Sequence, residues 1–318
     1  MIIGGGITGI ACAYELKDVA DVTIVEKNKL GGDSAKGQNK YIQMTPLVKD
    51  FLNRIDVPFS KYVIRNGILL KGRIERLDLT IKEMEKHEKE RLSADYYRKT
   101  RLLEPPKKFK FAIDEPSFSK PMKAIRTGVG LLLEFLVENI QQVKKVFSTV
   151  ERVGCKSVLL NNGETIHFDF LIFTIPLWEV GKCSWWDVPY CNAVVRNIVK
   201  ISAVVDKYLD WNFVYTPYTP GDSVYRLSPF EDYYLVEVNG CLKDKTENVY
   251  SDLYFLFGDG WHFVDTYSLK GHMLDVNIDN INWPMNVTPL GTYAEWDSQI
   301  TFDTVLEKIE KLKTRWNL

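Results

Sequence analysis

Three glycines at the head of the chain have the spacing of a phosphate cradle. Residues 2–9 read Ile-Ile-Gly-Gly-Gly-Ile-Thr-Gly, so Gly4, Gly6 and Gly9 fit G-x-G-x-x-G. Gly4 permits a sharp turn after a strand. Gly6 lets a pyrophosphate approach backbone that carries no Cβ, and Gly9 lets the next helix pack close to the sheet. Ile7 and Thr8 belong to the expected cofactor-binding set, and the first N–H groups and positive dipole end of the helix that follows favour an anion. A second strand, Asp21–Lys27, carries Glu26 at its end, followed by Lys27. An acid in that place accepts hydrogen bonds from an adenosine ribose and repels a 2′-phosphate. Gly31 and Gly32 then let backbone approach a ligand a second time. The expected chemistry is dinucleotide binding on a βαβ unit; the structural alternative is a tight turn without a ligand.

The elements that must hold these residues are legible in outline. A helix is expected from Ile10 to Lys17, and another after Thr45 as N-cap with Pro46 in its first turn. Tyr62–Leu70 reads as two short strands around a turn at Asn66-Gly67. Residues 73–104 are charged and rich in helix formers. Thr127-Gly128-Val129-Gly130 precedes an apolar helix over Leu131–Ile140, and Val146–Val153 reads as one strand. Asn161-Asn162-Gly163 signals a hairpin between Val158–Leu160 and Glu164–Phe168. Asp169–Ile175 reads as a buried strand stopped by Pro176, residues 197–267 as aromatic-rich strands, and Asp303 as the N-cap of a helix over Val305–Leu312.

A nicotinamide dehydrogenase would continue with alternating strands and helices. This chain instead leaves the motif, returns, leaves again and comes back at its C-terminal end, a pattern that favours a flavin. The expected fold class is α/β, with a discontinuous Rossmann-type FAD-binding domain over 1–60, 121–182 and 281–318. An inserted α+β substrate domain takes 61–120 and 183–280.

Composition bounds the partners. With 318 residues, 45% hydrophobic content and a net charge of −1, the chain supports a large core and has no general pull toward nucleic acid or anionic membrane. No apolar run is long enough to span a bilayer. Five cysteines without a C-x-x-C pair point to reduced thiols. The first strand begins at Met1 or Ile2, so no signal peptide is expected and a cytoplasmic location is. The four histidines lack metal-ligand spacing, and no metal is expected. A basic run between Arg98 and Lys110 could meet a substrate phosphate, though such a run is more often simply an exposed, hydrated face. Composition is silent on the oligomeric state.

With these segments laid out, the chain resembles the flavin-containing amine oxidase superfamily, in the branch with protoporphyrinogen oxidase and UDP-galactopyranose mutase. The resemblance is carried by Ile3–Gly9 through Val25-Glu26-Lys27 to Gly31-Gly32, by Gly128-Val129-Gly130 with Thr149-Val150, by Asp169 through Thr174-Ile175-Pro176-Leu177, and by Leu290-Gly291-Thr292-Tyr293-Ala294-Glu295-Trp296-Asp297. It implies FAD, with Gly4, Gly6 and Gly9 on the pyrophosphate, Glu26 on the adenosine ribose with Lys27 nearby, and Gly31 and Gly32 along the ribityl chain. Val150 would meet the adenine through its backbone. Thr174 belongs to the cofactor-binding set, and Gly291 would sit by the ribityl phosphate and the flavin. Tyr293 and Trp296 could form an aromatic wall by the isoalloxazine, with ordinary core packing an equal alternative for Trp296. Gly291-Thr292 stands where the mutase branch has Gly-Arg, and no cysteine follows Cys241 for covalent attachment, so FAD is expected to be noncovalent.

The implied reaction is hydride transfer from a small amine or similar C–H donor to flavin N5, so the partner is a small-molecule substrate. Arg226 and Tyr293 are the catalytic candidates, with Tyr225, Tyr233, Tyr234 and Trp261 as further candidates in the excursion. Arg226 could pair with a substrate carboxylate or phosphate, or form a buried structural salt bridge. Alternatives are a non-redox flavoenzyme on a nucleotide sugar, a flavoenzyme on an amine-bearing base of a nucleic acid, and a non-enzymatic flavin-binding protein. The overall charge argues against the nucleic acid without excluding it.

Overall fold

The computed structural model describes residues 1–32, 41–43, 45–57, 60–63, 65–100, 123–126, 129–186, 188, 193–230, 232–238, 246–273, 281–292, 294–295 and 300–318. The chain begins with β1 (Ile2–Ile3), α1 (Ile7–Leu16), β2 (Thr23–Glu26), β3 (Tyr41–Gln43), α2 (Pro46–Arg54) and β4 (Ser60–Val63). It continues with β5 (Asn66–Leu70), β6 (Arg73–Arg76), α3 (Leu77–Glu83) and α4 (Lys86–Thr100). Next come β7 (Lys123–Arg126), α5 (Val129–Glu138), β8 (Lys144–Phe147), β9 (Val150–Val153), β10 (Ser157–Leu160), β11 (Thr165–His167), β12 (Leu171–Phe173) and α6 (Leu177–Cys183). Then follow β13 (Ala193–Ala203), β14 (Phe213–Tyr215), β15 (Val224–Pro229), β16 (Tyr234–Val238), α7 (Thr246–Phe257) and β17 (Trp261–Met273). The last elements are β18 (Val287–Pro289) and α8 (Phe302–Trp316). Two compact units result: Met1–Tyr62 with Ala124–Asn192 and Val276–Leu318, and Val63–Lys123 with Ala193–Asp275.

The first unit is built on a parallel sheet in the order β18-β12-β1-β2-β8. Period-two alternation sends its residues to two faces. Ile2, Ile24 and Ile172 join a core with α1, α2, α5 and α8. Ile3, Val25, Leu171 and Phe173 join another with the antiparallel β9-β10-β11 sheet and α6. A sheet covered on both faces explains why β12 is buried along its whole length. Thr45 caps α2, accepting the Val48 N–H at 3.2 Å with Pro46 behind it. The hairpin turn at Asn161-Asn162-Gly163 joins β10 to β11.

Glu15 ties three helices of this unit together. Its carboxylate accepts from Arg54 of α2 and from Lys313 of α8, the latter at 2.9 Å. Burial alone would raise its pKa. The bonds from Lys313 and Arg54 outweigh that and hold it below the ordinary carboxylate value.

The second unit is a seven-stranded sheet in the order β17-β13-β16-β15-β14-β5-β6, antiparallel except where β14 meets β5. Alternate residues of β5 again divide two cores. Leu69 packs with Val249, Leu253, Leu256 and Phe257 of α7, and Ile68 with Leu77 of α3 and Leu92 of α4.

Four local expectations are corrected. The turn in the Tyr62–Leu70 region is not at Asn66-Gly67, which begins β5. The β5–β6 hairpin turns at Lys71-Gly72, both at positive φ (49° and 80°), the geometry a two-residue hairpin requires. Val146–Val153 is two strands in two different sheets, divided at Ser148-Thr149. The first helix starts at Ile7 rather than Ile10. Asp303 is not the cap of α8. Thr301 is, its hydroxyl accepting the Thr304 N–H at 3.3 Å, while Asp303 accepts from the Thr45 hydroxyl. Among the described residues no helix is long and apolar enough to cross a membrane.

Candidate functional site

The C-terminal end of β1 turns directly into α1, and the glycines of this turn do different things. A Cβ on Gly9 would lie 1.9 Å from the Gly4 carbonyl oxygen, so Gly9 is required for helix and turn to touch. A Cβ on Gly6 would meet nothing within 4 Å. Gly6 therefore faces open space, as it must if a ligand is to come against the backbone. Gly6 is the N-cap of α1 but supplies no side-chain cap, and no acid stands in the first turn. The first helical bond runs from the Ile10 N–H to the Gly6 carbonyl at 3.0 Å. Helix geometry leaves the Ile7, Thr8 and Gly9 N–H groups without an intrahelical acceptor, directed out of a positive dipole end.

Glu26 ends β2 beside this turn. Its Oε2 accepts the Gly5 N–H at 2.7 Å and its Oε1 the Asn28 N–H at 2.9 Å. A carboxylate has about four acceptor positions, so these two bonds orient the group and leave capacity for two hydroxyls. The sequence reading missed Gly5. Its position inside a Gly-Gly-Gly run was the available signal, and a Cβ there would lie 2.7 Å from Leu30 Cδ2 and 3.1 Å from Glu26 Cβ. Gly31 runs alongside, its N–H donating to the Gly5 carbonyl at 2.7 Å, and a Cβ on Gly32 would lie 3.8 Å from Gly6 Cα. Thr174, just past β12, donates its hydroxyl to the Gly4 carbonyl at 2.9 Å. Gly291 abuts the first turn of α1, where a Cβ would sit 3.0 Å from Thr8 Oγ1. The Ser148 N–H donates to the Glu26 carbonyl at 3.0 Å, and Val150, the first residue of β9, follows Ser148 by two residues. Lys27 is exposed. Gly4, Gly6, Ile7, Thr8, Gly9, Glu26, Gly31, Gly32, Thr174 and Gly291 are thus neighbours in one place. Trp296 and Tyr293 lie outside the described residues, as does most of the Arg98–Lys110 run.

In the second unit, Arg226 on β15 is paired with Glu237 on β16, which also accepts from the Tyr225 hydroxyl at 2.7 Å. The guanidinium lies over the Phe213 ring, 5.4 Å from its centroid. Tyr233 stacks on Phe230 and carries Lys200 Nζ 4.0 Å over its ring. Tyr234 is buried and donates to the Val205 carbonyl, and Trp261 packs against Tyr250.

Comparison with known proteins agrees with the cradle. Residues 1–94 match the family described as "DAO: FAD dependent oxidoreductase". No curated protein sequence matches the chain. Solved structures are similar over almost all of its length. An oxidoreductase from Methanosarcina mazei has a TM-score of 0.67 at 11% identity, over 98% of this chain and 99% of that one. A reduced UDP-galactopyranose mutase has a TM-score of 0.66 at 12% identity, over 99% and 93%. Cyclohexylamine oxidase from Brevibacterium oxydans IH-35A has a TM-score of 0.62 at 13% identity, over 98% and 96%. At these identities the likeness establishes the fold, that of Rossmann-type flavoenzymes. The family match covers residues 1–94, the part of the chain that carries the cradle, and supports an FAD-dependent oxidoreductase with FAD as the cofactor. The residues present fit that cofactor, with open backbone at Gly6 for the pyrophosphate and spare acceptor capacity on Glu26 for the ribose diol.

Proposed function

We propose that the chain is an amine-oxidase-type flavoenzyme that holds FAD noncovalently and oxidises a small amine or similar C–H donor. The first unit serves as the FAD-binding unit and the second as the substrate unit. The observation that carries the reading is the uncapped N-terminus of α1 beside a half-used Glu26 carboxylate. The likeness to cyclohexylamine oxidase supports an amine as the substrate class. When bound, FAD supplies a hydride acceptor at N5.

The chain's own residues do the rest. Ile7, Thr8 and Gly9 hold the pyrophosphate through their N–H groups. Glu26 takes the adenosine ribose hydroxyls, and its charge keeps a 2′-phosphate out. Gly31, Gly32 and Gly291 bring backbone close to the cofactor, Val150 meets the adenine through backbone, and Lys27 and Trp296 complete the set. Arg226 enters as a cation already matched by Glu237, so a substrate carboxylate would compete with that internal partner. Tyr293 is proposed as an aromatic wall.

The test is the visible spectrum of the purified protein before and after acid precipitation, followed by anaerobic addition of primary amines. Flavin released to the supernatant and bleached in the native protein by an amine is the expected result. A flavin that no amine bleaches, in a protein that isomerises a nucleotide sugar without consuming an acceptor, would overturn the amine reading.

A further inference from the structure

Glu295 folds back onto the peptide of Gly291. Its Oε1 accepts the Gly291 N–H at 3.0 Å, while its own N–H donates to the Gly291 carbonyl at 2.9 Å. The same carbonyl takes the Ala294 N–H at 3.0 Å. The other carboxylate oxygen of Glu295 accepts from Lys308 of α8, with the Glu295 side chain only 17% exposed. Gly291 itself sits at φ 101°, a conformation only glycine adopts readily, with its Cα against Thr8 in the first turn of α1. One carboxylate therefore closes the turn at Gly291, and one ammonium ties that turn to a helix of the same core as α1.

We propose that Glu295 is a positioning residue for the cofactor and Lys308 its charge-cancelling partner, a proposal that rests on the FAD reading of this site. Two physical effects are separable. The hydrogen bond to Gly291 fixes a glycine turn that would otherwise sample other conformations, so the wall beside Thr8 is in place before the cofactor arrives. The carboxylate, however, adds negative charge close to a helix end that must attract an anion. Lys308 offsets it, so the turn is held without weakening the field of the cradle.

Three variants divide these effects, each read by titrating FAD into apoprotein at low salt and by apoprotein melting temperature. Glu295→Ala loses the bond to Gly291 and is expected to bind FAD about tenfold more weakly. Lys308→Met keeps that bond but uncovers the charge. It is also expected to bind about tenfold more weakly, with the deficit shrinking as salt is added. The double variant Glu295→Gln, Lys308→Met keeps an acceptor for Gly291 and has no charge to cancel. It should return to within about threefold of the parent protein. A turn that mattered only for folding would lower the melting temperatures without this recovery. Wild-type affinity in Glu295→Ala, or a double variant as weak as Lys308→Met alone, overturns the proposal. A parent apoprotein that takes up no FAD overturns the cofactor reading itself, and the proposal with it.

Discussion

Glu237 and Asp252 of the second unit and Glu26 of the first are held in opposite ways. In the second unit Glu237 is buried and takes up both Arg226 and Tyr225, and Asp252, fully buried, accepts three backbone N–H groups from Gly221, Ser223 and Val224. In the first unit Glu26 is bound by only two backbone N–H groups and stays partly exposed, beside a helix end with no side-chain cap. Internally matched charge makes a scaffold, whereas hydrogen-bonding capacity held in place and left over makes a site. The ligand end of this protein is thus marked less by its charged side chains than by oriented backbone.

The contrast can be broken at several points. The largest effect is expected at Gly9, where alanine would place a Cβ against the Gly4 carbonyl. Gly9→Ala should cost about 3 kcal/mol or more, read as a collapse of the denaturant midpoint. Next is the matched acid of the second unit. Glu237→Gln removes the buried carboxylate charge beside Arg226, and a loss of about 2–3 kcal/mol is expected. FAD affinity should be unchanged, and a large loss of affinity would show that this pair belongs to the cofactor site.

The Glu15 clamp sets a third test. Its folded pKa is depressed, so its stabilisation is present above the unfolded carboxylate pKa of about 4.3 and is lost as pH falls through the lower folded value. Melting temperature should therefore fall more steeply below about pH 4 in the parent protein than in Glu15→Gln, which lacks the charge that Lys313 and Arg54 hold and is less stable at neutral pH. The smallest effect separates two neighbours on α8. Thr301→Ala removes the observed cap and should cost about 1 kcal/mol by chemical denaturation. An Asp303→Ala loss that exceeds it would restore Asp303 as the more important residue there.

Much of the cradle was legible because each part is local. The glycine spacing and the Thr45-Pro46 cap lie within a few residues of their partners, and the strand ending in Glu26 follows by a single βαβ unit. What escaped depends on register or on distance along the chain. Lys71 adopts positive φ without being glycine, so its turn carried no glycine pair. Arg226 meets Glu237 only because β15 and β16 pair across a bulge between Val224 and Arg226. Glu295 reaches Lys308 thirteen residues away, through a turn that no periodicity announces. Thr301 and Asp303 are both good caps, and only the start of α8 chooses between them.

The most direct test of the central claim is titration of FAD into apoprotein of the parent chain and of Gly6→Val, with melting temperatures of both. Gly6 faces open space, so valine should cost the apoprotein only its poorer N-cap preference, about 1 kcal/mol, while its methyl groups fill the place proposed for the pyrophosphate. The account predicts tight uptake by the parent and none by the variant. A Gly6→Val protein that binds FAD as tightly as its parent would contradict it.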